Sequence, residues 1–374
     1  MKPNNPFLIT GYHSPDYFCD REFETKSIIE SLHNGRNLTL IAPRRMGKTG
    51  LIHHAFYQLK QQYPDIVVFY MDIFPTQNLG EFVRLFASTV FGKLGSAPQK
   101  TMKRIGEMIT SFRPVITFDE FSGTPKLTVD IIPNREEASL QEIFTYLQSS
   151  GKKYCIAIDE FQQIAEYPEK GVEALLRSHI QFMSNVNFIF SGSKQHLMQE
   201  MFMSAKRPFY QSTQTLSVDK IDKEKYFSFA AHFLNMQGSA LTEETFSYIY
   251  DEFNGHTWYI QAIFNRLYSC PGKSDVSLVK RAISEILAES TYLYERLLSA
   301  YTASNLRLLK AVAKENCVRE INAGDFIARN NLKAASSVNA SLKKLIDKEL
   351  LYKTAQGYIV YDRFMNIWLR QQPY

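Results

Sequence analysis

The sequence predicts an α/β protein with a parallel sheet, followed by helices. Five short apolar runs lie between residues 37 and 218 and alternate with stretches of helical pattern. After residue 219 the strand pattern stops, and amphipathic helices are predicted near 222–236, 242–253, 257–269 and 275–299. The last 75 residues then predict three helices and two short strands. The length favours two or three domains.

The composition is that of a soluble globular protein. Hydrophobic residues make up 45% of the chain and charged residues 22%, and no apolar run approaches the roughly 18 residues that a membrane span needs. The first residues carry no signal-peptide pattern, so we expect a cytoplasmic protein without a membrane partner. The four cysteines are scattered without metal-ligand spacing, which argues against a zinc site or a disulfide framework.

The strand pattern predicts how the sheet is covered. The five runs are apolar on nearly every residue, which indicates strands buried on both faces of a parallel sheet between helices. They lie at 38–42, 66–73, 154–159, 187–193 and 213–218.

A phosphate-binding loop is predicted directly after the first strand. The loop ends in Gly47, Lys48 and Thr49 and is followed by a helix, as in the Walker A pattern, although Ala42 replaces the usual first glycine. Lys48 would reach the phosphates and Thr49 would contact Mg²⁺. The alternative is a basic turn without a ligand. The residues expected at the nucleotide are Ala42, Pro43, Arg44, Arg45, Met46, Gly47, Lys48, Thr49 and Gly50.

The Asp-Glu-Phe sequence occurs twice, at 119–121 and at 159–161. The second copy ends a buried strand, so Asp159 is expected at the carboxyl edge of the sheet as a Mg²⁺ ligand, with Glu160 as the base that activates water. The alternative is a solvated acidic strand end. The first copy lies in a pattern of alternating polar and apolar residues, which favours a β-hairpin at about 114–132 without a nucleotide.

The C-terminal segment is basic, with a net charge of +6 from residue 300 onward against −1 before it. Its order of three helices and a hairpin is that of a winged helix. In the third helix, Val338, Leu342, Leu345 and Ile346 are expected to face the core. A DNA-contacting face is predicted at Ser336, Ser337, Asn339, Lys343, Lys344 and Lys348, and the alternative is a contact with another protein or with the lid.

With these motifs in this order, the chain resembles the archaeal-type P-loop ATPases of the AAA+/STAND group over about residues 18–369. The resemblance implies an ASCE-type ATP-binding domain at 1–217, a helical lid at 218–299 and a winged helix at 300–374. It also implies that Phe18 and Arg21, in "FCDREFE", pack beside the adenine. Ser191, in "SGS", would sense the γ-phosphate, although such residues are also common turn formers.

Two departures from the family pattern bear on activity. The arginine that often follows the sensor is absent from "PFYQS" at 208–212, and Arg207 is the nearest substitute. The lid lacks the usual proline after Gly255. An arginine finger contributes about 10³–10⁵ in rate where one is used, so we expect slow hydrolysis.

The sequence therefore predicts a slow, Mg²⁺-dependent ATPase whose nucleotide state moves the lid and the winged helix. ATP is favoured over GTP by the resemblance. The alternative is a nucleotide-gated DNA-binding or regulatory module with negligible hydrolysis, and a small-molecule kinase ranks third. Besides ATP and ADP, DNA or another protein is an expected partner.

Overall fold

A computed structural model of the chain describes residues 2–92, 110–118, 125–270 and 272–372. The chain divides into two compact units, one of residues 10–225 and one made of residues 1–9 together with 226–374. The first Asp-Glu-Phe copy, at 119–121, lies outside the described residues. Over the described ranges, no helix is both long enough and apolar enough to cross a membrane.

The first unit, which we call the sheet unit (residues 10–225), alternates helices and strands. Its helices are α1 (Glu22–His33), α2 (Lys48–Gln62), α3 (Leu79–Gly92), α4 (Glu136–Ser149), α5 (Val172–Ile180) and α6 (Gln195–Met203). Its strands are β1 (Leu38–Ile41), β2 (Ile66–Asp72), β3 (Phe112–Phe118), β4 (Pro125–Ile131), β5 (Lys153–Asp159), β6 (Val186–Gly192) and β7 (Gln214–Ser217).

Five of these strands form one sheet in the order β2-β5-β6-β1-β7, with every neighbouring pair parallel. This confirms the predicted α/β fold and all five predicted strands. Because β6 lies between β1 and β5, the loops that follow these three strands meet at one edge of the sheet. The phosphate loop and the second Asp-Glu-Phe copy are thereby brought together.

Helices cover both faces of the sheet, as the continuous apolar strands predict. On one face, β-strand side chains such as Ile156 and Phe188 pack with residues of α3 to α6. On the other face, alternate strand residues such as Ala157 and Ile189 pack with α1 and α2. The side chains of β5 are buried from Tyr154 to Asp159, so the strand carries Asp159 from the core directly to the sheet edge.

Strands β3 and β4 form a separate antiparallel pair. Their register runs from Phe112 opposite Ile131 to Phe118 opposite Pro125. The pair occupies the segment for which the alternating pattern predicts a hairpin at about 114–132.

The second unit, which we call the helical unit (residues 1–9 and 226–374), contains the helices that follow the sheet. They are α7 (Lys223–Met236), α8 (Glu243–Glu252), α9 (Thr257–Tyr268), α10 (Val276–Leu298), α11 (Ala303–Glu315), α12 (Gly324–Arg329), α13 (Ala335–Asp347) and α14 (Arg363–Gln371). Short parallel strands β8 (Ala240–Leu241) and β9 (Lys273–Ser274) pair, and β10 (Leu351–Lys353) pairs antiparallel with β11 (Tyr358–Val360).

The order α11-α12-α13-β10-β11 is the predicted winged-helix order. The sequence did not predict α14, which Asp362 begins by accepting a hydrogen bond from the backbone N–H of Met365. One core assignment in α13 is wrong: Val338, Leu342 and Leu345 are buried, but Ile346 is 37% exposed. The helix turns about 100° per residue, so Ile346 lies beside the buried stripe rather than within it.

The N-terminal segment 2–9 is anchored in the helical unit. The ring of Phe7 is fully buried among aromatic rings from α7 and α9. The Asn5 side chain donates to the backbone oxygen of Asn265 at 2.9 Å, and the Asn265 side chain donates to the backbone oxygen of Phe7 at 2.8 Å. These paired bonds fix the segment along α9.

Candidate functional site

The loop between β1 and α2 has the backbone of a phosphate-binding loop without its first glycine. Gly47, at the N-cap of α2, has a φ of +86°, in the left-handed region that favours glycine. Ala42 is fully buried and is not among the described residues with positive φ. Alanine therefore fits at this position without backbone strain, and the departure from the family pattern is compatible with the loop.

Lys48 and Thr49 begin α2, and their side chains have different partners. The Lys48 ammonium is buried and donates to the backbone oxygens of Ala42 and Pro43, at 3.1 and 3.3 Å. Burial lowers the pKa of Lys48, while the charges of Glu160 and Asp159 oppose that shift. The loop is thus wrapped around a cation at a helix N-terminus, an arrangement that favours anions.

Asp159 connects β5 to the phosphate loop. Its Oδ2 accepts hydrogen bonds from the Thr49 hydroxyl and from the Tyr70 hydroxyl, both at 2.8 Å. Its Oδ1 accepts the backbone N–H of Glu160 at 3.0 Å. The side chain is only 3% exposed, so these donors stabilise a carboxylate away from water. The two predicted Mg²⁺ ligands, Thr49 and Asp159, therefore lie in direct contact.

Tyr70 was not predicted from the sequence. It lies on β2, two residues before Asp72, which is in register with Asp159 on the neighbouring β5. Burial raises the pKa of the Tyr70 phenol, and the Asp159 carboxylate raises it further. The phenol therefore stays protonated and serves as a donor to Asp159.

Glu160 is held at the sheet edge by two donors. Its Oε2 accepts the Ser193 hydroxyl at 2.7 Å and the Gln162 side-chain amide at 2.5 Å. The Ser193 oxygen in turn accepts the Nε–H of Arg44 at 3.2 Å. Glu160 itself has a φ of +55°, unusual for a residue other than glycine. Such strain is often found at functional sites.

The residues at the end of β6 have different surroundings. The predicted sensor Ser191 is fully buried, and within the described part of the chain its hydroxyl has no hydrogen-bond partner. Ser193, two residues later, is the one that reaches Glu160. Between them, Gly192 leaves room for buried neighbours, because a Cβ there would lie 2.2 Å from Gln162 Oε1.

Phe18 and Arg21 both approach the phosphate loop region, but in different ways. The Phe18 ring lies 3.4 Å from the position of a Cβ on Gly50 and stacks on His54 with centroids 4.2 Å apart. The buried Arg21 guanidinium donates to the backbone oxygens of Met46 and Asp219. Phe18 thus lies beside the first turn of α2, whereas Arg21 is hydrogen-bonded to the backbone of the loop at Met46.

The remaining loop residues differ in exposure. Arg45 has a φ of +68° and is exposed, Arg44 and Pro43 are half-buried, and Met46 is buried. The Arg44 guanidinium carbon lies 5.6 Å from the centroid of the exposed Phe74 ring. Of the two arginines expected at the nucleotide, Arg44 is the one that contacts Ser193 beside Glu160, whereas Arg45 is exposed.

The donor set at the sheet edge fits Mg²⁺. One hydroxyl and one carboxylate, on Thr49 and Asp159, are in contact, and Mg²⁺ is commonly held by one or two carboxylates, substrate phosphates and waters. No group of three or more His, Cys, Asp or Glu residues able to hold a metal occurs among the residues that the structure describes.

Asp72 adds a third carboxyl to the edge. Desolvation raises the pKa of Asp72, and the charges of Asp159 and Glu160 raise it further. The hydrogen bond from the backbone N–H of Phe74 and the charge of Arg44 lower it in part. The sheet edge is thus rich in negative charge.

The C-terminal face predicted for DNA lies on α13. Ser336, Asn339, Lys343 and Lys344 are exposed, and Ser337 is half-buried. The Asn339 side chain accepts from Asn322 at 2.8 Å, and the Lys344 ammonium lies 5.5 Å from the Tyr301 ring centroid. These residues are accessible from solvent and carry two positive charges.

Comparison with protein families gives two matches. Residues 18–263 match the family described as an ATPase domain predominantly from Archaea. Residues 292–371 match a probable winged helix domain. Comparison with the curated proteins gives no match.

Solved structures share the fold at low sequence identity. The Walker-type ATPase PABY2304 of Pyrococcus abyssi is 18% identical, with a TM-score of 0.67 over 98% of this chain and 99% of that chain. The Aeropyrum pernix ORC2 protein, solved as ADPNP-ADP complexes, is 14% identical, with a TM-score of 0.62 over 98% and 96%. The Aeropyrum pernix ORC1 protein in complex with DNA is 10% identical, with a TM-score of 0.52 over 98% and 96%. They confirm the P-loop fold followed by a winged helix.

Proposed function

Because the chain belongs to the family of ATPase domains found predominantly in Archaea, we propose that it binds ATP and hydrolyses it slowly with Mg²⁺. The observation that carries this proposal is the 2.8 Å hydrogen bond between the Thr49 hydroxyl and Asp159 Oδ2. It joins the phosphate loop to the acidic end of β5. In P-loop NTPases a hydroxyl of the phosphate loop and an aspartate of this kind hold the Mg²⁺ ion, so Thr49 and Asp159 would hold it here.

The proposed roles follow from the positions of the side chains. The Lys48 ammonium leaves the loop carbonyls for the β- and γ-phosphates, while Thr49 and Asp159 hold Mg²⁺. When bound, the metal neutralises phosphate charge. Glu160 orients the attacking water and accepts its proton. Phe18, beside the first turn of α2, packs near the adenine.

The first test is nucleotide binding. Lys48→Ala is expected to weaken ATP binding at least 100-fold, because it removes the phosphate-binding cation. The matched control is Lys60→Ala, which removes an exposed lysine from the same helix and leaves binding unchanged. Titration of a fluorescent ATP analogue measures both. Equal affinities for the two variants would refute the ATP site.

The second test separates binding from turnover. Glu160→Gln is expected to keep ATP affinity within about threefold and to lower phosphate release at least 100-fold, since general-base catalysis contributes about 10²–10⁴. The exposed Glu137→Gln serves as the control. Undiminished phosphate release in Glu160→Gln removes Glu160 from the proposed role.

The conformational response is assigned to the lid and the winged helix, divided as residues 218–299 and 300–374 after an ATP-binding domain at 1–217. The two parts pack together inside the helical unit, where the Phe364 ring contacts Phe253 and Tyr259 at centroid distances of 5.1 and 5.2 Å. Arg370 also pairs with Glu252. These contacts favour movement of both parts as one body.

Hydrogen exchange in the presence and absence of a non-hydrolysable ATP analogue tests this response. Amide protection is expected to change in residues 218–299 of the wild type and to stay unchanged in Lys48→Ala. Identical exchange of the wild type in both conditions would exclude a nucleotide-driven rearrangement.

The second candidate function is a nucleotide-gated DNA-binding module with negligible hydrolysis. The exposed Lys343 and Lys344 on α13 and the net charge of +6 after residue 300 favour it. One structural relative was solved with DNA, which supports the same reading. Ser336, Ser337 and Asn339 would add backbone contacts near the N-terminal half of α13.

Fluorescence anisotropy with a labelled DNA duplex, with and without ATP, decides between the two. Removing Lys343 and Lys344 together is expected to reduce the slope of log K against log salt by about two. Lys152→Ala with Lys153→Ala removes the same charge from the sheet unit and serves as control. Absence of any salt-dependent binding leaves a protein as the partner of this face.

A further inference from the structure

The proposed base, Glu160, lies at the end of a chain of three side chains that begins in the phosphate loop. Arg44 Nε donates to Ser193 Oγ at 3.2 Å, and Ser193 Oγ donates to Glu160 Oε2 at 2.7 Å. A serine hydroxyl carries one proton. Because Ser193 accepts from Arg44, its proton is directed at Glu160. The chain therefore links an arginine of the phosphate loop to the base.

Arg44 lies close to the groups proposed to bind the nucleotide. Lys48 has a pKa lowered mainly by burial, and the positive charge of Arg44 contributes to that shift. The guanidinium also lies near Asp72, and its positive charge lowers the pKa of that carboxyl, whereas desolvation raises it. Its half-buried side chain extends along the open edge of the sheet beside Phe74. A phosphate cradled by the loop would lie within reach of this cation.

Two other arginines of the sheet unit are engaged elsewhere. Arg207, the nearest substitute for the missing family arginine, pairs with Glu173 at 2.7 Å and with Glu200 at 3.7 Å. Arg21 is buried, with its guanidinium on backbone oxygens of Met46 and Asp219. Unlike Arg44, these two arginines do not have Ser193, the side chain that donates to Glu160, among these partners.

We propose that Arg44 is a γ-phosphate ligand supplied by the same chain, and that it leaves Ser193, the side chain that donates to Glu160, when it moves to the phosphate. This inference rests on the proposed ATP site. In the reaction the water oxygen forms a bond to the γ-phosphorus and its proton passes to Glu160 Oε2. The bond between the γ-phosphorus and the bridging oxygen breaks, and ADP leaves with the electron pair.

A γ-phosphate offers Arg44 a stronger acceptor than Ser193 does. The Arg44 Nε–H is bonded to a neutral hydroxyl in the structure, whereas a γ-phosphate offers anionic oxygens, which an arginine can bind through two parallel N–H···O bonds. ADP lacks the γ-phosphate, so it does not draw Arg44 away from Ser193. Arg44 should therefore distinguish ATP from ADP, and Ser193 should compete with ATP for Arg44.

Displacement of a fluorescent ADP analogue by ATP or by ADP, with Mg²⁺ present, tests the proposal. Arg44→Ala is expected to bind ATP at least tenfold more weakly and ADP within twofold of wild type. The control, Arg36→Ala, removes an exposed arginine before β1 and leaves both affinities unchanged. Normal ADP binding by Arg44→Ala also shows that the variant is folded. An unchanged ratio of ATP to ADP affinity in Arg44→Ala overturns the proposal.

Ser193→Ala gives an effect of opposite sign. Without the hydroxyl that holds Arg44, ATP is expected to bind about three- to tenfold more tightly, while ADP affinity stays within twofold. Ser178→Ala, on the exposed side of α5, is the control. Weaker ATP binding in Ser193→Ala overturns the proposed competition between Ser193 and the γ-phosphate for Arg44. If the wild-type protein binds no ATP, the proposed function itself fails, which is a separate result.

Discussion

Replacing Gly192 by alanine places a methyl group in space that is already occupied. The added Cβ would lie 2.2 Å from Gln162 Oε1 and 2.5 Å from Met198 Sδ, far inside contact distance. Both neighbouring side chains are buried, so neither can swing into solvent. Overpacking of this kind costs about 1–3 kcal/mol, and the entropy effect of Gly→Ala on the unfolded chain offsets about 0.4–1 kcal/mol. We expect a net loss of about 1–2 kcal/mol.

Urea denaturation followed by circular dichroism measures this loss. The matched control is Gly324→Ala at the first residue of α12, where no atom lies within 4 Å of an added Cβ. There the higher helix propensity of alanine should leave stability unchanged or raise it by up to about 1 kcal/mol. A Gly192→Ala protein as stable as wild type would show that Gln162 and Met198 repack freely, and would refute the reasoning.

Three further changes test other contacts. Phe7→Ala should lower the free energy of unfolding by about 3–5 kcal/mol, whereas Phe23→Ala, at a side chain 74% exposed, should leave it unchanged; tryptophan fluorescence during urea unfolding measures both. Tyr70→Phe removes a charge-assisted donor from buried Asp159 and should cost about 1.5–3 kcal/mol in the same assay. Asp72→Asn should raise the melting temperature at pH 8, because desolvation raises the pKa of Asp72 and so disfavours its carboxylate in the folded state. That gain should vanish below pH 3.8, where the aspartate is protonated in both the folded and the unfolded state.

The parts of the fold that the sequence predicts are those set by local pattern. A strand that is buried on both faces can be recognised by consecutive apolar residues, as from Tyr154 to Ile158. A glycine followed by the start of a helix, as at Gly47, predicts the left-handed residue at the N-cap of α2. Lys48, Thr49 and Asp159 could be placed together because the carboxyl ends of parallel strands share one edge.

The parts that the sequence could not predict depend on contacts between distant residues. Tyr70 donates to Asp159 only because β2 and β5 are neighbours in one particular register, which no local pattern encodes. Arg44 and Ser193 are 149 positions apart, and their contact requires β6 to lie next to β1. The error at Ile346 has a simpler cause, since an apolar residue at the border of a helical stripe reads as core in the sequence.

The anchoring of residues 2–9 in the helical unit has a consequence for synthesis on the ribosome. The aromatic partner Phe264 is made 257 residues after Phe7, which at about 5–20 residues per second takes roughly 10–50 s. Throughout that interval the Phe7 ring lacks the α9 side chains that bury it in the folded protein, and it is available to chaperones. The helical unit can therefore be completed only after α9 has been made, by capture of a segment that was synthesised much earlier.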